Sequence, residues 1–441
     1  MKFVFSVLII IFLQNCSFDN KSGIWKNENS VTKKDDEFFK DFENVNFSNQ
    51  EFEKIIPIKN NFYFKLPNPI DNKSWSDIYY NQSNSLENFK YDENFKLILK
   101  SKKLSKFQID KNFLIYNKNL ISTDEKGNII FFSIEENRII SKFNFYRKKH
   151  KKIVKKLNII IENDLLYVSD NLGYLYAINY LQNKVIWAKK YDVAFRSNIK
   201  IYKNKIITSN QDNNLYFFNK NNGSILNLIP TEETVIKNNF KNNLSLNKNM
   251  TFFINTFGSL YAINNDNMRI KWFVNLNQSL DLNPTDLFIG SQIVNGQNEL
   301  VLSSNFYTYI IDQDTGSILH KKSFITDIRP IILKNYLFTV TRNNYLVATN
   351  LENGNIIYSY DLNSEIAKFL KIKKKQANFS NLMILNNKIV IFLKNSFILF
   401  LDINGNFKQI RKLPTKIYTS PVIVNKNILY LDKKNKLSII N

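Results

Sequence analysis

One short pattern recurs eight times along this chain and leaves few folds open to it. It is a turn residue, any residue, then a five-residue and mostly apolar strand that usually ends in Asn or Asp. The clearest copies are Gly173-Tyr-Leu-Tyr-Ala-Ile-Asn179 and Gly258-Ser-Leu-Tyr-Ala-Ile-Asn264; weaker ones begin at Gly127, Asn213, Phe306, Asn344, Ser396 and Asn435. Successive starts lie 38 to 52 residues apart, the length of one four-stranded propeller blade.

Residues that did not define the pattern follow the same period. Ten residues after a start a glycine returns at Gly223, Gly316 and Gly354, with Gly405 one position early, so seven of the ten glycines occupy two repeat positions. Both are places where a tight turn needs positive φ. Fourteen residues after a start stand Trp187, Trp272, His320 and Tyr358. Each copy reads as strand, turn, strand, tight turn, strand, loop and a further strand. Apolar runs such as Lys205–Thr208 and Lys388–Leu393 lie upstream of the starts.

An alternation of strands and polar turns repeated eight times is either a closed propeller or an open solenoid. The last copy reaches Asn441 without an outer strand, which a ring supplies from the N-terminal side, removing the exposed edge. Phe95–Lys100 or the segment around Trp75 is expected to complete it. The expected fold is all-β, an eight-bladed propeller of four-stranded blades over residues 75–441, closed by an N-terminal strand.

Upstream the chain changes character. Met1–Leu13 is one Lys followed by an apolar run too short to span a bilayer and suited to a secretory signal. It ends at Cys16, the single cysteine of the chain, so no disulfide can form within it. A lone Cys after such a run resembles the lipobox of bacterial lipoproteins. That resemblance implies a signal peptide over 1–15, diacylation of Cys16 and, with Ser17 next, sorting to the outer membrane. Residues 16–74 are polar and Asn-rich, with phenylalanines at no steady period, and are expected to be a flexible tether holding one short helix near Asp36–Phe42.

The net charge is +23, peaking at Arg147–Lys156 and Lys371–Lys375. A basic surface suits phospholipid, acidic protein or nucleic acid, but no nucleic-acid reading motif accompanies these runs. They are therefore expected to be solvated loops, and nucleic acid is not an expected partner.

The motif G-x-L-Y-A-I-N followed by a turn and a Trp strand resembles the PQQ-like propeller repeat. Gly173–Trp187 and Gly258–Trp272 carry the match, with Asn183 and Met268 at the turn glycine, and Asp314-Thr315-Gly316 supplies the family's T-G turn. The resemblance covers about residues 95–441. Two functional classes share the repeat: quinoprotein dehydrogenases, with a quinone over calcium, and the non-enzymatic BamB lipoproteins of the outer-membrane β-barrel assembly machinery. Length, lipoprotein-like start and eight copies resemble the second.

Side-chain chemistry points the same way. With one Cys and two His, Cys-based zinc sites and Cys/His catalysis are not expected. Calcium needs convergent oxygens, whereas several blades end their strand in Asn where the family carries Asp (Asn179, Asn219, Asn264, Asn350). No cofactor, metal or catalytic residue is expected. His320 and the tryptophans are expected to pack between blades. The BamB resemblance implies docking to periplasmic domains of the central barrel-assembly protein, with unfolded outer-membrane proteins as further partners, at the periplasmic face of the outer membrane. By position it points to loops 230–237 and 283–290, with Glu232, Glu233, Val235, Asp286 and Leu287 as candidates. A different periplasmic binding propeller is the main alternative, and a quinoprotein dehydrogenase is the third.

Overall fold

The computed structural model describes residues 52–146, 150–233, 243–277, 291–304 and 306–441, and a two-residue strand pair, Ser17–Phe18 with Trp25–Lys26. The chain divides into two units, Met1–Gln50 and Glu51–Asn441. The expected signal peptide, Cys16 and the helix near Asp36–Phe42 lie outside the described residues.

The larger unit is the propeller. Blade 1 consists of strands Leu114–Tyr116, Asn119–Thr123, Asn128–Ser133 and Arg138–Asn144. Blades 2 to 7 follow in chain order over residues 157–190, 200–229, 244–275, 294–322, 331–361 and 379–412. The first of a blade's own strands is its inner one, and these strands meet between blades 1 and 2 and along blades 3 to 6. Blade 8 has three strands of its own, Val422–Val424, Asn427–Leu431 and Leu437–Ile440. Its outer strand is Leu97–Lys100, antiparallel to Leu437–Ile440. The expected closure therefore forms from the Phe95–Lys100 candidate, while Trp75 goes elsewhere.

The first three strands of a blade read as near-continuous apolar runs because both faces are covered by adjacent blades. The outer strand alternates, as Arg138–Asn144 does, because one face meets solvent. Each outer strand carries a bulge against its neighbour, in the closing pair too, at Ile439/Ile440. The extra residue steepens the twist, so Leu97–Lys100 reproduces the geometry of the outer strands it stands in for.

The repeat residues now have jobs. In blades 1 to 4 and 8 the turn between the second and third strands is held by an Asx side chain three residues before the start residue, and in blade 6 by Thr341 there. Asp170 Oδ1 accepts from the backbone N–H groups of Leu172 and Tyr174, both at 2.8 Å; Asn255 and Asp432 do the same in their blades. In these blades the start residue takes positive φ, as Gly (Gly173, +84°) or Asn (Asn213, +66°).

The ring at the fourteenth position lies on the turn glycine of the next blade. A Cβ added to Gly223 would come within 2.5 Å of the Trp187 ring, one on Gly316 within 2.6 Å of Trp272, and one on Gly354 within 2.5 Å of His320. Gly405 meets Tyr360 and Tyr358 in the same way. Trp187 and Trp272 each donate Nε1–H to a carbonyl of that neighbouring turn, Lys220 and Gln313, at 3.0 Å. His320 is thus an inter-blade packing residue. Across the sheet these rings face Ala177, Ala262, Ile310 and Ala348. Where Phe131 or Phe217 stands instead, the partner shrinks to Ser141 or Asn227. The next blade's turn then has no glycine but Asn183 or Met268, at φ +54° and +58°.

The propeller unit begins before the expected boundary at residue 75. Phe52 is buried against Phe324 and Tyr345, Ile56 bridges Ser359, and Phe64 packs on Tyr336, Phe338 and Tyr358. Burial of these aperiodic aromatics on blade 6 holds this stretch to the ring. One helix follows blade 6, α1 (Leu362–Leu370), capped by Asp361.

Candidate functional site

The centre of a propeller is where a cofactor would sit, and here the chain fills it with itself. Residues 72–92 form a strap that passes once around the axis and touches the innermost strand or its following turn in every blade. Asn425 of blade 8 donates its N–H to Asn72 O. Trp75 exchanges backbone bonds with Ile115 of blade 1 at 2.7 and 2.9 Å. Ser76 O accepts from Ile161 of blade 2, and Gln82 Nε2 donates to Ile201 O of blade 3. Asn84 Nδ2 donates to Leu244 O of blade 4 at 2.9 Å and Ile293 O beside blade 5 at 2.8 Å. Ser85 reaches Ile332 of blade 6, and Asn88–Phe89 pairs in parallel with Ile384–Leu385 of blade 7. Asp92 N–H returns to blade 8 at Lys426 O. Inner-strand carbonyls that would line a hollow are thereby satisfied by side-chain amides, as buried acceptors must be.

Charge at the centre is internal too. Lys200 is fully buried, and its three donors are taken by Asp77 Oδ2, Asn81 O and Asn84 Oδ1, each at 2.7 Å. Burial lowers its pKa, with Asp77 acting in opposition. Arg329 donates to Tyr79 O and Asn84 O, and burial brings its pKa down to about 10. Sequence reasoning missed this set. The available signal was a lysine between Ile199 and Ile201, in an innermost strand otherwise apolar.

Above the strap a cavity of about 140 Å³ remains, lined by Trp75, Tyr79, Asn112, Gln292, Arg329 and Ser380 among others. Ligand pockets run to roughly 300–1,000 Å³. Among the described residues no group of three or more His, Cys, Asp or Glu side chains could hold a metal ion. A quinone over calcium does not fit a channel occupied by residues 72–92, so no chemistry is derived through one.

In an antiparallel four-stranded blade, the linkers to the next blade and the turns between second and third strands emerge on one face. We call it the linker face; Lys155 of the blade 1–2 linker donates its N–H to Glu125 O of a blade 1 turn there. The described part of the candidate loops, 230–233, belongs to it. Glu232 does not present a free carboxylate: it accepts from Asn255 Nδ2 at 2.5 Å, Ser259 Oγ at 2.7 Å and Tyr261 OH at 2.8 Å. Burial raises its pKa, but these hydrogen bonds prevail and hold it below the usual value. Glu232 therefore clamps the blade 3–4 linker onto blade 4. Glu233 is exposed beside it. Val235, Asp286 and Leu287 lie outside the described residues.

The propeller is similar to several solved structures. BamB from Moraxella catarrhalis has a TM-score of 0.61 at 12% identity over 79% of this chain and 99% of that one. Quinohemoprotein alcohol dehydrogenase from Comamonas testosteroni has a TM-score of 0.61 at 7% identity, over 83% of this chain and 80% of that one. A europium-containing methanol dehydrogenase has a TM-score of 0.57 at 11% identity, over 83% and 89%. At such identities the likeness shows the fold alone. No curated protein sequence matches the chain. The family profile described as outer membrane protein assembly factor BamB matches residues 125–360, more than half of the chain, and the chain belongs to that PQQ-like propeller family.

Proposed function

We propose that this chain is a non-enzymatic scaffold of outer-membrane β-barrel assembly, anchored through Cys16 at the periplasmic face of the outer membrane. Docking to the central barrel-assembly protein would use the blade 3–4 and 4–5 linkers. The observation that carries the reading is the strap: with the channel filled from within, the working surface left to the molecule is its outside. Membership of the BamB family supports barrel assembly over another periplasmic complex. The internal engagement of Glu232 moves the contact to Glu233 and the 283–290 loop, with Glu232 as a positioning residue. Interface energy of this kind concentrates in a few anchors.

The test is capture of the tagged, full-length chain from its own membranes. Recovery of the barrel-assembly core protein is the expected result, and Glu233→Lys with Asp286→Lys should lower it. Capture of another envelope complex in its place would assign the propeller to that complex and end this reading.

A further inference from the structure

Two linkers on the linker face end in the same chemistry, and neither belongs to the docking loops. At the end of α1 and just beyond it, Phe369, Leu370 and Ile372 are 45, 45 and 51% exposed, with one edge of Phe369 on Phe407 of blade 7, among exposed Lys371, Lys373, Lys374 and Lys375. The blade 1–2 linker presents Ile153 and Val154, 44 and 50% exposed, among exposed Lys151, Lys152 and Lys156. Between them on the ring, the blade 8–1 linker adds exposed Lys102, Lys103 and Lys106. The blade 3–4 linker, towards the other side, carries Glu232 and Glu233. One half of the face is thus basic with apolar tips.

The chain reaches the propeller at the basic half. Asn343, in a blade 6 turn, donates its side-chain amide to Phe52 O at 2.5 Å, and Glu53 and Lys374 are close enough to interact electrostatically. The propeller unit's first described residues, Phe52 and Glu53, therefore lie beside Asn343 and Lys374.

From this placement we infer that the basic half of the linker face lies on an anionic lipid surface, with Phe369, Leu370, Ile372, Ile153 and Val154 entering the headgroup region. The inference rests on the lipoprotein reading for its orientation, not for its chemistry. Apolar tips flanked by lysines are how peripheral elements hold to anionic bilayers, and a basic patch is the second signal that makes a lipid anchor stable. An acidic protein surface would meet the lysines but gives exposed Ile and Phe at two separated points no common plane to enter.

The test uses the full chain carrying Cys16→Ser, so that no acyl group forms, sedimented with phosphatidylglycerol-containing or purely phosphatidylcholine vesicles. Any contribution of the apolar N-terminus is common to both arms and to all variants. The expected result is at least about tenfold preference for anionic vesicles, lost at high salt. Lys151→Glu, Lys152→Glu, Lys373→Glu and Lys375→Glu together should remove it, and Leu370→Ser with Ile372→Ser should weaken it at unchanged melting temperature. Equal binding to both vesicles, or a quadruple variant that binds like the parent, overturns the inference. Whether Cys16→Ser releases the chain from cell membranes reads the lipid-anchor proposal separately.

Discussion

Neighbouring blades are joined twice, once at the rim and once at the axis, by different chemistry. At the rim, a ring from one blade lies on a glycine of the next, and the same pair of positions serves at four junctions. At the axis, one non-repeating strap supplies Asn, Gln and Ser side chains and backbone groups to all eight blades in turn. The rim tolerates loss: where Asn227 replaces the ring, Met268 replaces the glycine and the junction is bridged by Asn227 Nδ2 to Met268 O at 2.8 Å. The axis has no such alternative, because each contact is made once. Local, repeated packing gives blades their spacing, and the strap ties the ring into one body.

The largest effect should come from breaking the axis at its buried charge. Lys200→Ala leaves Asp77 buried without its cation and should lower unfolding free energy by about 3–5 kcal/mol, measured by urea denaturation. Asn84→Ala takes the side-chain donor from the Ile293 carbonyl and one of the three acceptors from Lys200, while Leu244 O keeps Asn198 Nδ2, and should lower it by about 2–3 kcal/mol. At the rim, Gly316→Ala puts a side chain at φ +76° against Trp272 and should be destabilising by about 1–3 kcal/mol. Met268→Ala should cost about 1 kcal/mol or less, the loss of its partial packing on the core between blades 3 and 4, since no ring covers that turn. Equal losses at Gly316 and Met268 would dissolve the distinction between the two kinds of rim junction.

The smallest effect belongs to the linker clamp. The Glu232 carboxyl titrates below the ordinary glutamate value of 4.5, because its hydrogen bonds outweigh its burial. Its contribution is therefore fully present above that value and lost as pH falls through the folded pKa. The wild type should lose stability between pH 5 and 3 more steeply than Glu232→Gln, by melting temperature (about pH 5 and 3 bracket the titration).

What could be read from the sequence follows the same division. The rim was legible because it repeats: turn glycines and the ring position fell on the period, and the last copy's missing outer strand called for a closing strand, with Phe95–Lys100 and the segment around Trp75 as candidates. The pairing of the two signals was not, since ring and glycine lie in different copies and meet only once blades stack. The strap escaped because Gln82, Asn84 and Ser85 have no period and look like linker chemistry. Phe52 and Phe64 look like tether for the same reason, although packing on blade 6 fixes them. Glu232 was found by position, but its role depends on Asn255, Ser259 and Tyr261, which no spacing rule connects to it.

The central claim is that the axis is held by residues 72–92, and amide hydrogen exchange of the full-length chain tests it most directly. The account predicts that amides of the strap, among them Trp75, Asn84 and Lys90, are protected to the same degree as the innermost strands. It also predicts that calcium with pyrroloquinoline quinone leaves that protection unchanged. Strap amides exchanging at the rate of a surface loop, or released by the quinone, would contradict it.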